Sequence, residues 1–208
     1  MKTDYLKIIF FKKMLHYCSD KALIETTFDD LLELYNANNR FYHDLTHVSS
    51  LLNRWEDSKL NINDDDVVYL AIWFHDAIFN TWKSDNEEKS AELAVEFLNK
   101  TSFPKERIDK VVTYILGTKT HESTGENDMN YFFDIDLSIL GSDETIYDIY
   151  TKQIRDEYNF YPSFLYNRGR RKVLNSFLDK EFIYKTEEYR SKLEEQARIN
   201  MARELESL

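Results

Sequence analysis

Apolar residues recur along most of the chain at the spacing of one helical face, and short polar segments separate these stretches. Residues three and four apart lie on the same side of a helix, so this period predicts a largely helical protein. Thr27 precedes the stretch "FDDLLELYN" and is predicted to cap its helix, with Asp29 and Asp30 in the first turn. Helices are predicted over roughly residues 5–17, 28–36, 45–55, 63–79, 86–99, 102–118, 143–160, 167–178 and 186–208.

The stretch "NDDDVVYLAIWFHDAIF", residues 63–79, is almost wholly apolar after its acidic start. A helix that is apolar on every side lies inside a protein core. This one contains His75 and Asp76, and burying a carboxylate without a partner is costly. Two interpretations follow from the residues alone: a core pair that hydrogen-bonds to a neighbouring helix, or two ligands of a metal ion.

Four glycines and two prolines among 208 residues leave few positions that end helices or form turns. Internal repeats, low-complexity segments and linker-like breaks are not evident in the sequence. The chain is therefore predicted to be all-α and to form one domain over residues 1–208.

The charge and cysteine content narrow the classes of partner. The chain carries 27 Lys and Arg against 38 Asp and Glu, a net charge of −11. Broad binding to nucleic acid or to an anionic membrane needs a basic surface, so neither is expected. The single cysteine, Cys18, and the short apolar run Ile8 to Phe11 predict a cytoplasmic protein without a signal peptide or membrane span.

Other residues of metal-binding type lie in three further stretches. In "FYHDLTHV", His43 and His47 are four residues apart, a spacing that lets two histidines on one helical face bind the same ion. His121 follows a predicted helix in "YILGTKTHES", and Asp134 and Asp136 lie in the apolar run "YFFDIDLSIL". Imidazole and carboxylate together suit a divalent ion of the group Mn, Mg, Co, Ni, Zn and Fe, and the residues do not distinguish among them.

The order of these residues resembles the HD-domain superfamily of metal-dependent phosphohydrolases, whose pattern is a histidine, then "HD", then a distal aspartate. The likeness is closer still to a subgroup of uncharacterised predicted HD phosphohydrolases of similar length, and it extends from about residue 35 to the C-terminus. The subgroup often has "HDAVYD" where this chain has "HDAIFN", so Phe79 and Asn80 depart from it. The matching stretches are "RFYHDLTHV", "AIWFHDAIF", "NEEKSAELA", "ILGTKTH", "DIDLSILG", "QIRDEY" and "GRRKVLNSFL...IY".

The resemblance implies an HD-type helical bundle with C-terminal helices packed on it, and a bound divalent metal. Asp134 is the alternative for the last metal ligand, and Asp136 is preferred because "DLSILG" follows it as in the family. His121 matches the place where two-metal members have an extra histidine, so it is the candidate for an additional metal or phosphate contact. The four implied metal ligands are His47, His75, Asp76 and Asp136.

For His43, three interpretations remain: a second chelating histidine, a surface or capping residue at a helix start, or a catalytic acid. The last follows from a likeness to the segment "YHN..H" of cyclic-nucleotide phosphodiesterases, relatives of the superfamily. It implies that His47 binds the metal while His43 donates a proton to the leaving oxygen. Asp76 is the candidate to accept the proton of the attacking water, and Asp44 is predicted to be a carboxylate at a helix N-terminus.

The implied activity is hydrolysis of a phosphoester or phosphoanhydride in a small phosphorylated molecule, such as a nucleotide. The alternative is a non-catalytic regulatory module that binds a nucleotide, whereas a di-iron oxygenase needs more histidine ligands than the chain offers. The sequence leaves a homodimer open.

A solvated helical face is the ordinary explanation for the basic run 168–172. The candidates to bind the substrate phosphate are Lys119, Arg155, Arg168 and Arg170.

Overall fold

The computed structural model describes residues 3–208 and confirms the all-α prediction, since the described residues form ten α-helices and no strand. The chain divides into two compact units, Met1–Phe132 and Phe133–Leu208. One helix, α7, begins in the first unit and ends in the second. The helices are α1 (Thr3–Met14), α2 (Lys21–Tyr35), α3 (Leu45–Ser58), α4 (Asp65–Phe74), α5 (Asn86–Leu98), α6 (Lys105–Gly117), α7 (Asn127–Asp136), α8 (Glu144–Glu157), α9 (Ser163–Leu178) and α10 (Glu187–Ser207).

Helix α4 lies in the core of the first unit, as its apolar sequence predicts. All eight residues from 67 to 74 are buried. The Trp73 ring meets the rings of Phe10 and Phe28 edge-on, with centroids 5.4 and 5.6 Å away, a favourable arrangement for aromatic rings. The Tyr35 hydroxyl donates to the Trp73 carbonyl at 3.0 Å, which joins the end of α2 to the end of α4.

The predicted start of α2 is wrong. The helix begins at Lys21, and Asp20 caps it by accepting a hydrogen bond from the Leu23 backbone at 3.1 Å. Thr27 lies inside the helix, where its hydroxyl donates to the Leu23 carbonyl at 2.8 Å. A threonine can satisfy its hydroxyl in this way in mid-helix, so its capping preference did not mark a boundary here.

The predicted end of α4 is also wrong, because the helix stops at Phe74 instead of continuing through the "HD" pair. The Nδ1 atom of His75 lies 3.0 Å from the Ile72 carbonyl. In a continued helix that carbonyl would accept from the backbone of Asp76, four residues on. His75 and Asp76 therefore lie in a turn at the end of a buried helix.

In the second unit, the 3-10 turn Leu137–Gly141 packs closely on α10. The Asn200 amide donates to the carbonyls of Leu140 and Ser142, at 2.9 and 2.8 Å. A methyl group on Gly141 would lie 2.6 Å from the Cβ and 2.7 Å from the carbonyl oxygen of Leu193. Glycine is needed here because the turn and the helix approach so closely.

Replacing Gly141 by alanine is expected to lower the free energy of unfolding by about 1–3 kcal/mol, the usual cost of overpacking. The backbone of Leu193 would have to move, and it is part of a long helix. Urea titration followed by circular dichroism measures this change. Gly169→Ala is the matched control: nothing lies within 4 Å of its added methyl, so alanine inside α9 is expected to stabilise the protein by about 0.5–1 kcal/mol. Equal effects of the two substitutions would contradict the prediction.

None of the helices in residues 3–208 combines the length and the apolar character that crossing a membrane requires. The cytoplasmic location and the lack of nucleic-acid and membrane partners stay predictions, as does the single domain.

Candidate metal centre

His47 is held at the start of α3, where it is the third residue of the helix. Asp44 is the N-cap, and its carboxylate accepts from the backbone of Thr46 at 2.7 Å and of His47 at 3.2 Å. The predicted role of Asp44 at the helix N-terminus is confirmed. His43 lies in a bend before the helix, so the two histidines do not share a helical face as their spacing suggested.

His75 is the C-cap of α4, and its side chain is oriented by the backbone of the same turn. Its Nδ1 atom contacts the Ile72 carbonyl at 3.0 Å. A ring whose Nδ1–H donates to a carbonyl keeps Nε2 as a lone-pair donor, the arrangement usual in histidines that bind metals. The side chains of His47 and His75 are 3% and 1% exposed, whereas Asp76 is 22% exposed. The site is therefore buried at its histidines and open to solvent at its aspartate.

Three potential ligand atoms from α3 and from the turn after α4 converge. The Nε2 atoms of His47 and His75 are 3.3 Å apart. The Oδ2 atom of Asp76 lies 3.1 Å from the His75 nitrogen and 3.8 Å from the His47 nitrogen. Two atoms that each bind an ion at about 2.1 Å lie about 3.0 Å apart at octahedral angles and about 3.4 Å apart at tetrahedral angles. The 3.3 and 3.1 Å separations fall in this range, whereas the 3.8 Å between Asp76 and His47 is wider than either geometry gives.

Asp136, the last residue of α7, adds a second carboxylate. Its carboxylate oxygen and one ring nitrogen each of His47 and His75 all lie within 4.8 Å of one another. This His47–His75–Asp136 group can hold a metal ion. Two imidazoles and two carboxylates are a donor set that divalent ions accept, and a cation would offset negative charge placed beside a buried core.

Asp134, the alternative ligand, is used elsewhere in the second unit. It is fully buried, and its carboxylate accepts from the backbones of Lys185 and Thr186 and from the Thr186 hydroxyl, each at 2.7 Å. Burial raises the pKa of Asp134, while these hydrogen bonds act in the opposite direction. Asp134 anchors the segment that leads into α10.

Lys185 is a half-buried cation that the sequence analysis missed. Burial lowers the pKa of its ammonium to about 8, although the negative charges of Asp134 and Asp136 favour the charged form. Its Nζ atom donates to the Ile183 carbonyl at 2.5 Å. A lysine placed among apolar residues in "FIYKT" was the available signal, since such a lysine is seldom an ordinary surface residue.

The imidazole of His43 lies beside the candidate metal ligands. Its ring centroid is 5.8 Å from that of His47, and its ring stacks on Phe79 at 4.5 Å with the planes 29° apart. The ring of Tyr42 is 4.9 Å from His43 and 4.8 Å from His47. Phe79, noted in the sequence only as a departure from the subgroup, is thus a packing partner of the candidate acid.

Two buried side chains hold the turn that carries Asp76. The Ser90 hydroxyl, fully buried on α5, accepts from the Ile78 backbone at 3.0 Å and lies 3.3 Å from its carbonyl. Arg40 donates to the Asp76 carbonyl at 2.6 Å. The sequence analysis singled out neither Ser90 nor Arg40. An arginine among aromatic residues in "NRFYH" was the available signal.

The basic residues predicted to bind phosphate have structural partners in most cases. Lys119 is exposed, and its ammonium donates to Glu88 at 2.7 Å and to the Ser84 carbonyl at 2.8 Å. This ion pair raises the pKa of Lys119. It joins the end of α6 to the start of α5.

In the second unit, Arg170 is buried and forms an ion pair with Glu204 at 2.7 Å. Arg155 donates to the carbonyls of Tyr158 and Tyr161, at 2.7 and 3.1 Å. Arg168 is exposed on α9. Substrate binding by these residues and by Lys119 stays a prediction.

His121 follows the turn after α6, as predicted, with a positive φ of 47°. Its backbone donates to the Gly117 carbonyl at 2.9 Å and so closes the helix end. A positive φ is uncommon for residues other than glycine. Among the described residues, the group that can hold a metal does not include His121, and its role as an additional metal or phosphate contact stays a prediction.

Comparisons of the chain with family models, with curated proteins and with solved structures gave no match.

Proposed function

We propose that this protein is a metal-dependent phosphohydrolase of the HD type, which cleaves a phosphoester or phosphoanhydride bond in a small phosphorylated molecule such as a nucleotide. The observation that carries the proposal is the convergence of His47 and His75, first with Asp76 at 3.1–3.8 Å and also with Asp136 in a group whose ligand atoms lie within 4.8 Å of one another. These are the four residues that the resemblance to the HD superfamily singles out from the sequence.

The donor set supports hydrolytic chemistry. A divalent ion bound here would polarise the phosphoryl oxygen of the substrate and would make the attacking water more acidic. His47 and His75 hold the ion from the buried side of the site, while the part-exposed Asp76 faces solvent. Substrate therefore approaches from the side of Asp76.

The chain's own residues then handle the protons. The water oxygen bonds to phosphorus while the bond from phosphorus to the leaving oxygen breaks. Asp76 accepts the proton that the water loses, and His43 donates a proton to the leaving oxygen. Imidazole is the side chain that most often serves as a general acid in proteins. Exchange with solvent restores both groups.

Metal analysis of the purified protein followed by a substrate screen tests the proposal. We expect the protein to bind Mn²⁺, Co²⁺ or Ni²⁺ and to hydrolyse at least one class among phosphomonoesters, phosphodiesters and pyrophosphates. Asp76→Asn is the matched negative control, since the amide keeps the shape but removes the charge. It is expected to lose activity. Protein that binds no metal would overturn the proposal, and tight nucleotide binding without turnover would favour a regulatory module instead.

A further inference from the structure

Arg40 is a buried arginine that joins the two segments on which the candidate site is built. It directly precedes the bends 41–44 that lead into α3, and the residue is 8% exposed. Its Nη1 atom donates to the carbonyl of His43 at 2.9 Å and to that of Asp76 at 2.6 Å. Its Nη2 atom donates to the carbonyl of Ala77 at 2.7 Å. One guanidinium therefore spans the backbone beside the candidate acid and the backbone of the "HD" turn.

The aromatic residues around Arg40 connect it to His43 a second time. The guanidinium carbon lies 5.0 Å from the ring centroid of Tyr35 and 5.5 Å from that of Phe79. The His43 imidazole stacks on the same Phe79 ring. Phe79 thus contacts both the guanidinium and the imidazole. Arg40 is therefore connected to His43 twice, by a hydrogen bond to its backbone and through the ring of Phe79.

We propose that Arg40 is a positioning residue that fixes the imidazole of His43 relative to the metal ligands His47, His75 and Asp76. The inference rests on the proposed function, because it takes these residues as acid and ligands. Neither connected segment is regular secondary structure, since residues 41–44 form bends and residues 75–78 a turn followed by bends. Without a bridge, nothing in their own backbone pattern sets the separation of the two.

Only arginine has the chemistry that this bridge needs. Its planar guanidinium presents five donors in a fixed fork, so it can meet three carbonyls on two segments at once. Lysine keeps the charge, but its ammonium is a single point that cannot reproduce that span. Arg40→Lys is therefore a conservative test of position and leaves the charge in place.

The test compares Arg40→Lys with the wild type in the Co²⁺-loaded full-length protein. Three quantities are measured: Co²⁺ affinity by calorimetry, the visible Co²⁺ spectrum, and the paramagnetic NMR shift of the His43 ring protons. The last depends directly on where the ring lies relative to the ion. Residues that orient metal ligands typically contribute 10- to 100-fold to affinity or activity, so we expect Co²⁺ to bind about 10- to 100-fold more weakly. The His43 shift is expected to change. In a separate kinetic experiment, kcat at saturating metal is expected to fall by a similar factor with KM almost unchanged.

Arg198→Lys is the matched control, because the Arg198 guanidinium also donates to three backbone carbonyls, those of Leu178, Lys180 and Glu181, but in the other unit. It is expected to lower the stability of the protein and to leave Co²⁺ affinity, spectrum and the His43 shift as in the wild type. Wild-type values for Arg40→Lys in all three measurements would overturn the inference.

If the Arg40→Lys protein does not fold, the Phe79→Leu variant is used in its place. Phe79 is only half-buried, and leucine is a smaller apolar residue. It removes the ring that lies against both Arg40 and His43, and it is expected to change the His43 shift with little loss of Co²⁺ affinity. An unchanged shift would overturn the inference.

A wild type that binds Co²⁺ without any turnover would overturn the proposed function alone, while the Co²⁺ measurements would still decide the role of Arg40. A wild type that binds no Co²⁺ would overturn both.

Discussion

Replacing His75 by alanine is expected to abolish the rise in melting temperature that a divalent cation gives the wild-type protein. An ion that binds only the folded state stabilises it by about 2.7 kcal/mol when its free concentration is 100 times Kd. For a chain of this length that corresponds to a rise of roughly 5–10 °C. His75 supplies a buried nitrogen that lies 3.3 Å from one candidate ligand atom and 3.1 Å from another. Its loss removes one of the two imidazoles in the donor set and opens a cavity where the ion would be held, so the affinity for the ion is expected to fall below the tested concentrations.

The measurement is thermal unfolding with EDTA and with a series of Mn²⁺ or Co²⁺ concentrations. Each variant is compared with its own metal-free form, so any cost of truncating a buried side chain cancels. His47→Ala is expected to behave as His75→Ala does. His16→Ala is the matched control, because His16 is exposed and its ring nitrogen lies against the carbonyls of Lys12 and Lys13, and it should keep the full shift. A wild-type shift in His75→Ala would contradict the metal centre.

Replacing His43 by glutamine is expected to lower kcat by about 10²- to 10⁴-fold, the usual contribution of a general acid. Metal affinity should change little, because His43 lies in the bend before α3 and outside the ligand group of the described residues. Glutamine keeps a polar side chain of similar length but cannot donate a proton as an acid. This result would separate a metal ligand at His47 from a proton donor at His43.

The choice of substrate makes the experiment on His43 more specific. An alkyl phosphate has a basic leaving oxygen that needs a proton, whereas p-nitrophenyl phosphate has an acidic leaving group that leaves without one. The loss in His43→Gln should therefore be large for the alkyl ester and small for the nitrophenyl ester. Equal losses on both esters would argue against proton donation. Loss of the metal together with activity would instead make His43 a chelating ligand.

Patterns of neighbouring residues in the sequence predict several features that the structure shows. The all-α class followed from apolar spacing, since a helix places residues three and four apart on one face. The burial of α4 followed from its composition, because no polar face remained to meet water. Asp44 was correctly interpreted as a helix N-terminal carboxylate, since capping is a bond between neighbours in the chain.

The errors arose where side chains compete for backbone groups. Thr27 was predicted to cap a helix and instead lies inside it, bonded to the Leu23 carbonyl. The helix predicted to run through His75 stops at Phe74, because the imidazole takes up the Ile72 carbonyl. The first outcome follows from Asp20 capping the helix seven residues earlier, and the second from the partner that the Ile72 carbonyl takes. Residue propensities average over that choice and therefore did not predict it.

The sequence by itself determined that the chain is helical, that α4 is buried, and that His47, His75, Asp76 and Asp136 are of the types that bind metals. Only the tertiary structure decided which atoms converge, and that Arg40 and Phe79 pack against His43. It also separated Asp136, in the group with the two histidines, from Asp134, which holds the backbone before α10. The reason is physical: capping, period and burial follow from neighbours along the chain, whereas a metal site depends on distances of a few ångströms between segments far apart in sequence.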